Sequence, residues 1–283
     1  MTKNLLAAFL FFSISGLGFA QQPGYPFFGP TQPDQQYRKA IGLLALGNPT
    51  RQEHDDALKM LRAAADQKYA PAQTALATVY ERGNLSDQDM HLALNWYEAA
   101  ANQGDWIAQL SLGRIYFLGR GGVDRNTTKA QKWLQMAADS GDAAAAFYLG
   151  LLNDEGQDTP IDFTEAAKWY LRAAAAGNPL AQERLALILL TGKGVGTKRD
   201  TDSAYAWMLV SASFGNHNVD NQLQSIETDL GINGADAVRA KALALRNEVL
   251  EKLAGNACNG WPGQFTGSPE PPPLSFQLTC ELK

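Results

Sequence analysis

The chain has 283 residues, of which 45% are hydrophobic, and its formal net charge at pH 7 is −5. This apolar content is enough to fill a core, which argues against disorder along most of the chain. The acidic balance and the lack of a basic run in the sequence make nucleic acid a poor partner.

The first 20 residues have the pattern of a secretory signal peptide. Lys3 precedes an apolar run from Leu5 to Phe12, and small residues at Gly18 and Ala20 mark a cleavage site. We therefore expect export, cleavage after Ala20 and no stable membrane insertion of the mature protein. An uncleaved membrane anchor is the alternative, but serine and glycine residues interrupt the apolar run.

A proline-rich stretch follows at residues 21–36. Its prolines disfavour a helix and predict an extended linker. They are Pro23, Pro26, Pro30 and Pro33. The aromatic residues Tyr25, Phe27 and Phe28 are unusual in a spacer, and we expect them to pack on the first repeat or to serve as a docking segment.

From residue 37 to residue 217 the sequence repeats with a period of 36–38 residues, which predicts a repeat architecture. A large residue of the second helix recurs as Met60, Trp96, Trp133, Trp169 and Trp207. A small pair follows it, as Ala63-Ala64, Ala99-Ala100, Ala137-Ala138, Ala173-Ala174 and Ser211-Ala212. The helix then ends at Lys68, Gly104, Gly141, Gly177 and Gly215. We interpret the large residue as core and the small pair as a site of close helix approach.

A second series defines a first helix in each repeat. Its apolar stripe has the spacing i, i+4, i+8 of one helical face. The series is Ala72-Leu76-Tyr80, Ala108-Leu112-Tyr116, Ala145-Leu149-Asn153 and Ala181-Leu185-Leu189. Glycine residues 83, 119, 156 and 192 are placed to end these helices in a left-handed conformation. Gly113 and Gly150 inside the helices predict close packing against a neighbour.

The best-formed copy, residues 108–142, reads L-G-x-x-Y, a glycine turn, then K-A-x-x-W-x-x-x-A-A-x-x-G-D. This pattern resembles the Sel1-like repeat, a relative of the tetratricopeptide repeat with a longer turn. The resemblance implies an all-α fold, a right-handed α/α solenoid of about five helical hairpins over residues 37–217. The first repeat, at 37–71, departs most from the pattern, which is typical of a capping repeat.

After the repeats, residues 218–254 predict a C-terminal helical cap. Gly231 and Gly234 divide it, and the longer second part carries one apolar stripe. The stripe is Val238, Ala242, Leu245, Val249 and Leu253. We expect it to cover the last repeat; a free-standing dimerisation helix is the alternative.

Residues 255–283 form a tail rich in proline and glycine. It contains both cysteines of the chain, Cys258 and Cys280, which we expect to form a disulfide in an oxidising compartment. Metal binding is the weaker interpretation, because no histidine or third cysteine lies nearby. Residues 274–280 alternate apolar and polar, which predicts a short strand that folds onto the cap or pairs with a partner's edge.

The sequence shows no catalytic or metal-binding pattern. His54, His91 and His217 occupy unrelated places in the repeats. The stretch Gly192–Lys198 superficially resembles a phosphate loop, but it lacks the required spacing and corresponds to the inter-helix turn of an earlier repeat. We therefore predict no catalytic residue, no metal and no cofactor.

Candidate binding residues come from the resemblance. In tetratricopeptide arrays the first helices line a concave groove, and positions outside the consensus contact ligands. Carried over to this chain, those positions are Thr74, Thr78, Arg82, Ser111, Arg114, Phe117, Phe147, Leu151, Asp154, Arg184 and Leu187. Phe117, Phe147 and Leu151 stand out because the core stripe does not need them, although residues beside a stripe can also simply widen it.

Together these observations predict a non-catalytic scaffold or adaptor of the cell envelope that binds a protein or peptide in its groove. The predicted signal peptide and the late cysteines favour a Gram-negative periplasm, with secretion as the alternative. A secreted β-lactamase-like or penicillin-binding protein, or a peptidoglycan-associated one, is the alternative function. Relatives of the β-lactamase-like kind carry cysteines within each repeat, and this chain has none there.

Overall fold

The computed structural model describes residues 32–45, 50–83, 88–156, 160–194 and 199–258. All regular elements in these ranges are helical, which confirms the all-α class. The helices are α1 (Gln32–Leu44), α2 (Arg51–Asp66), α3 (Ala70–Arg82), α4 (Met90–Ala101), α5 (Trp106–Leu118), α6 (Thr127–Asp139), α7 (Ala143–Glu155), α8 (Phe163–Ala175), α9 (Pro179–Thr191), α10 (Thr201–Ser213) and α11 (Asp220–Cys258). A 3₁₀ turn at His217–Val219 precedes α11.

The helices pack as two compact units that divide within α6, between Ala137 and Ala138. The first unit holds α1 to α5 and most of α6, and the second holds α7 to α11. Helices pair along the chain as first and second helix of a hairpin, as α1 with α2 and α3 with α4 in the first unit, and α7 with α8 and α9 with α10 in the second. With α5 and α6, these are the five predicted hairpins.

Glycine ends the first helices as predicted. Gly83, Gly119, Gly156 and Gly192 adopt φ of 63°, 65°, 59° and 72°, the left-handed conformation of a helix C-cap. After the second helices, glycines again hold positive φ in four repeats, but the first repeat has Lys68 there with φ of 60°. A side chain in this conformation costs roughly 1–2 kcal/mol, so Lys68 is a strained junction.

The predicted stripe of the first helices is buried except at its last position in two repeats, where Asn153 and Leu189 are half-buried. Leu76 and Leu112 have no exposed surface, and Leu149 and Leu185 are 1% and 4% exposed. The large residue of the second helix differs from the prediction: Trp133 and Trp207 are buried, whereas Met60, Trp96 and Trp169 are only half-buried. The fully enclosed residue is the next one, which is Leu61, Tyr97, Leu134, Tyr170 and Met208. Adjacent residues have the same spacing between repeats, so spacing alone could not separate them.

The small pair also lies one residue later than predicted in the first two repeats. Ala64-Ala65 and Ala100-Ala101 are the buried pairs there, and Ala63 and Ala99 are half-buried. Counted from the large residue, these positions match the fully buried Ala137-Ala138 and Ala173-Ala174 of later repeats.

The two glycines inside the first helices make the close contacts that the sequence predicts. A Cβ atom on Gly113 would lie 2.5 Å from Cδ2 of Leu134, and one on Gly150 would lie 2.4 Å from Cε1 of Tyr170. Both distances are too short for real side chains. The missing Cβ therefore lets the second helix of each hairpin approach its first helix.

A buried glutamine at the start of three first helices was not predicted. Its side-chain amide donates across the junction to the second alanine of the preceding pair, at 3.1 Å in each case. The pairs are Gln73 with Ala65, Gln109 with Ala101 and Gln182 with Ala174. In α7 the position is Ala146, and the guanidinium of Arg172 donates to the carbonyl of Ala138 instead. Each junction carbonyl therefore has a side-chain donor.

The predicted linker and tail differ from the structure at their inner ends. Residues 32–36, assigned to the linker, form the first turn of α1, where Pro33 needs no backbone N–H donor. Residues 255–258, assigned to the tail, continue α11 through Gly255, because one glycine costs a helix only about 1 kcal/mol. Residues 1–31 and 259–283, with the predicted signal peptide, Cys280 and the short strand, lie outside the described residues.

The C-terminal cap covers the last repeat as predicted. Gly231 breaks α11 with φ of 66° and ψ of 172°. Beyond it, Val238, Ala242 and Val249 are 6%, 4% and 2% exposed, and α11 packs against α10. Leu253 is not among the described side chains. The stripe therefore serves the chain's own fold, as expected of a cap.

The two halves of α11 are joined by an ion pair across the break. Glu227 lies before Gly231 and accepts a hydrogen bond from Arg239, which lies after it, at 2.6 Å. Glu227 also accepts from the hydroxyl of Tyr205 in α10. One carboxylate thus ties both halves of the cap to the last repeat.

Candidate functional site

The predicted groove residues divide into two groups by exposure. Thr74, Phe117 and Leu151 are buried, at 6%, 4% and 7% exposure, and belong to the packing of their units. The stripe-widening interpretation therefore holds for Phe117 and Leu151. The remaining eight keep exposed surface; they are Thr78, Arg82, Ser111, Arg114, Phe147, Asp154, Arg184 and Leu187.

In the first unit, a cluster of hydroxyl groups surrounds Tyr97 of α4. The Tyr97 hydroxyl donates to Oε2 of Glu81 at 2.7 Å and lies 3.0 Å from the hydroxyl of Thr78. Ser111, from the next repeat, also hydrogen-bonds it. Burial and the charge of Glu81 raise the pKa of Tyr97 above its usual value, so this hydroxyl stays a neutral donor.

Arg114 lies one helical turn beyond Ser111 on α5. Its Nε atom is enclosed and has no hydrogen-bond partner in the described part of the chain. Close to the end of the same helix, the Phe117 ring faces the guanidinium of Arg125, whose Cζ lies 5.1 Å from the ring centroid. The first-helix face of this unit therefore combines hydroxyls, a carboxylate and an arginine with unused donor capacity.

In the second unit, Asp154 is the centre of a corresponding cluster. Its Oδ2 accepts from the hydroxyl of Tyr170 at 3.0 Å and lies 3.5 Å from a guanidinium nitrogen of Arg184 in the next repeat. Burial, and then the charge of Asp154, raise the pKa of Tyr170 above its usual value. The ring of Phe147 lies 5.9 Å from that of Tyr170, so a half-exposed aromatic surface adjoins the ion pair.

Glu81, Tyr97 and Tyr170 belong to these clusters but were not predicted. Each of the two tyrosines directly follows a tryptophan of the repeated series, and the larger residue was assigned to the core. Glu81 occupies a position at which the adjacent repeats have an aromatic or apolar residue. A comparison of the repeats at matched positions would have found them. Glu81 and Asp154 occupy the same repeat position, and so do Tyr97 and Tyr170.

These clusters have hydrogen-bonding and ion-pairing capacity and no arrangement for a metal. Within the described residues, no group of three or more histidine, cysteine, aspartate or glutamate side chains could hold a metal ion. His217 has Asp220 at 3.5 Å across one helical turn, on an exposed surface. In the turn at 192–198, Gly192 is the C-cap of α9, and residues 195–198 lie outside the description.

No helix among the described residues is long and apolar enough to cross a membrane. Of the predicted disulfide, Cys258 is the last helical residue of α11 and Cys280 lies outside the description. Neither the disulfide nor the exported location is tested by the structure, and both stay predictions.

Several known proteins are similar to this chain over part of their length. The chain is 34% identical over 155 residues to the chitin synthase regulator SKT5 of Malassezia restricta, covering 54% of this chain but 11% of that protein. Among solved structures, a Sel1 repeat protein from Oxalobacter formigenes is 32% identical, with a TM-score of 0.59 over 69% of this chain and 55% of that one. The chain thus spans only a small part of this curated relative.

A second structure, of c5321, a protective antigen of uropathogenic Escherichia coli with an SLR fold, is 25% identical and has a TM-score of 0.66. It matches 79% of this chain and 48% of that chain. The Sel1 repeat family model matches residues 36–69, 70–105, 106–142, 143–178 and 179–215, which are the five hairpins seen here. The chain therefore belongs to the Sel1 repeat family, an α/α solenoid scaffold for protein interaction.

Proposed function

We propose that this chain is a non-catalytic adaptor of the cell envelope that holds a protein or peptide partner against its first helices. The observation that carries the proposal is the pair of polar clusters around Tyr97 and Tyr170. Each cluster includes first-helix side chains, Thr78 and Glu81 in one and Asp154 in the other, and these keep exposed surface.

The chemistry of these clusters suits a polypeptide. The Arg184 side chain is 45% exposed and pairs with Asp154, and Phe147 packs against the Tyr170 ring whose hydroxyl donates to the same carboxylate. Arginine and aromatic side chains supply much of the binding energy at protein interfaces. Arg114 adds a half-buried guanidinium on the first unit. These groups can bind a carboxylate or a main-chain carbonyl of a partner.

The absence of catalysis is part of the proposal. The relative SKT5 is named as a regulator of a chitin synthase. The name of a regulator supports a role through binding. Turnover of the β-lactam nitrocefin by the purified protein, at a rate above buffer and lost on heating, would refute this part.

Site-specific crosslinking tests the position of the partner. A photo-crosslinking amino acid at Ser111 should capture the partner in the native host, whereas the same residue at Lys132, exposed on the second helix α6, should not. Equal capture from both positions would contradict a first-helix site.

Substitution then tests the residues. We expect Arg114→Ala with Phe147→Ala to weaken binding of the captured partner at least tenfold, since each truncation at an interface anchor costs about 1–2 kcal/mol. Lys59→Ala, at a side chain that is 73% exposed on α2, is the matched control. Unchanged binding with an unchanged circular dichroism spectrum would refute the assignment.

The envelope location has its own test. Fractionation of the native host should recover a mature chain that begins at Gln21 in the periplasmic fraction. A chain that retains Met1 in the cytoplasmic fraction would refute export without affecting the first-helix site.

A further inference from the structure

An apolar cleft opens in the second unit between α8 and α10. Its volume is about 350 Å³. Leu171, Leu185, Leu189 and Trp207 form most of its wall, with Lys168 and Asp200 at its edge. Leu171 is 49% exposed, so the cleft leaves a large apolar side chain in contact with water.

In two repeats of the first unit, a tyrosine occupies the position that corresponds to a leucine of the cleft wall. Leu189 ends the apolar stripe of α9, and the same position is Tyr80 in α3 and Tyr116 in α5. Those two tyrosines are 8% and 6% exposed. The last repeat therefore has a leucine where the second and third repeats bury an aromatic ring.

The opposite wall of the cleft also differs from the matching part of the second and third repeats, because a polar residue is replaced there by an apolar one. The Tyr80 hydroxyl accepts from Arg62 at 2.9 Å, and that of Tyr116 donates to Glu98 at 3.3 Å. Arg62 and Glu98 each lie two residues after the large residue of the preceding second helix. The matching residue beside the cleft is Leu171. At these matched positions the fifth repeat thus has neither the aromatic ring nor the polar residue that contacts its hydroxyl.

The chain carries phenyl rings within reach. A second cleft, lined by Leu245, Glu248 and Trp207, adjoins the first across α10. From Glu248 to the end of α11 at Cys258 is about 15 Å of helix, and crossing α10 adds about 10 Å. Phe265 and Phe276 lie 7 and 18 residues beyond Cys258. An extended chain spans about 23 Å and about 60 Å over those lengths, before the side chain itself is counted.

We propose that residues 259–283 dock in this cleft and place the ring of Phe265 or Phe276 where the second and third repeats bury a tyrosine. Trp261, three residues beyond Cys258, is too close to the helix end to reach it. The occupant is thus a segment of the same chain, attached directly to the helix that lines the adjoining cleft. None of the exposed groove candidates lines the cleft, and the contact does not depend on the proposed function.

Hydrogen exchange measured by mass spectrometry on the full chain tests the docking. Peptides from residues 259–283 should exchange about tenfold more slowly than an unstructured chain, because docked amides exchange only on local opening. Leu189→Tyr fills the cleft from within the repeat and should return these peptides to the unprotected rate. Leu180→Tyr, on an exposed leucine of the same helix outside the cleft, should leave the protection unchanged.

A second variant covers the case in which Leu189→Tyr disturbs the fold. Phe265→Ser with Phe276→Ser leaves the repeats unsubstituted and should abolish the protection while leaving the thermal melt of the repeats in place. Unprotected peptides in the unsubstituted chain, or protection that survives both variants, would overturn the proposal. Protection that appears only as protein concentration rises would assign the cleft to a second copy and would also overturn it.

Discussion

Replacing Asp142 with asparagine should stabilise the chain at neutral pH and have little effect near pH 4. Asp142 is the N-cap of α7, and its carboxylate accepts a hydrogen bond from the backbone N–H of Ala145 at 2.6 Å. Burial raises the pKa of this carboxyl to about 6, and the hydrogen bonds from Ala145 and Ala144 only partly oppose the rise. The charged form is therefore disfavoured in the folded state.

The magnitude follows from competing effects. A rise in pKa from 3.8 to about 6 corresponds to about 3 kcal/mol at neutral pH, as an upper bound. Asp142 keeps some solvent contact, which reduces this value. Asparagine retains the capping oxygen but loses a favourable charge at a helix N-terminus, worth about 0.5 kcal/mol. We expect a net gain of about 1 kcal/mol in the free energy of unfolding. Asn178 occupies the matching position before α9 and accepts from Ala181 in the same way.

The sign of the pH dependence follows from the raised pKa. Between about pH 4 and pH 6 the folded chain holds a proton on Asp142 that the unfolded chain has lost. The contribution of Asp142 to the free energy of unfolding therefore falls as pH rises through this window and is level above it. Asparagine does not titrate, so its advantage should grow from near zero at pH 4 to its full value above pH 6.

Urea unfolding followed by circular dichroism at pH 4, 5, 6 and 7.5 measures this difference. Asp162→Asn is the matched control, because Asp162 caps α8 from an exposed position. It should lower stability by no more than about 0.5 kcal/mol and show no growing advantage across this pH range. An Asp142→Asn chain that is no more stable at pH 7.5, or equally favoured at pH 4, would refute the reasoning.

Three further substitutions test the packing through their thermal melts. Lys68→Gly should stabilise the first repeat by about 1 kcal/mol, because glycine adopts its positive φ without strain; a lower melting temperature would contradict this. Gly113→Ala should destabilise the chain by about 1–3 kcal/mol, because it forces a Cβ atom against Leu134. The control Gly42→Ala should be neutral or stabilising, because nothing lies within 4 Å of its added Cβ. Similar losses of stability in both variants would refute the close-packing argument. Tyr170→Phe should cost about 1 kcal/mol by removing a buried hydrogen bond to the first-helix carboxylate, and an unchanged melt would mean that this bond contributes nothing.

The sequence predicted the parts of the fold that recur at a fixed period. Helix ends were found from glycine, since a left-handed C-cap restricts which residue fits, and Gly83 and Gly119 adopt that conformation. The stripe residues Leu76 and Leu112 were found from helical spacing and are fully buried. These features depend on one residue and its local backbone, so a single sequence shows them.

The orientation of the second helix could not be read in the same way. Trp169 and Tyr170 recur with the same period, and adjacent helical residues point about 100° apart. Tryptophan was assigned to the core by its size, but the residue after it is the enclosed one. Which of two neighbours faces inward depends on how the second helix is rotated against the first. That rotation is set by tertiary contacts such as Gly150 against Tyr170.

The candidate site could not be fully predicted for a related reason: the residue type at its first-helix positions depends on which residue the second helix buries against them. A buried tyrosine hydroxyl requires an acceptor. Repeats with Tyr97 or Tyr170 on the second helix therefore carry Glu81 or Asp154 on the first. The third repeat has Leu134 instead, so no acceptor is needed, and the matching first-helix residue is the apolar Phe117.

Phe117 therefore follows from the fold of its own repeat and not from a ligand. Glu81 and Asp154 each serve the fold with one hydrogen bond from a tyrosine, yet both keep exposed surface. A carboxylate has more acceptor sites than one hydroxyl can occupy. In the second unit Arg184 already uses part of the remaining capacity. If the proposed first-helix site is substituted repeat by repeat, we therefore expect partner specificity to depend on which repeats hold the polar pair and which hold the apolar one.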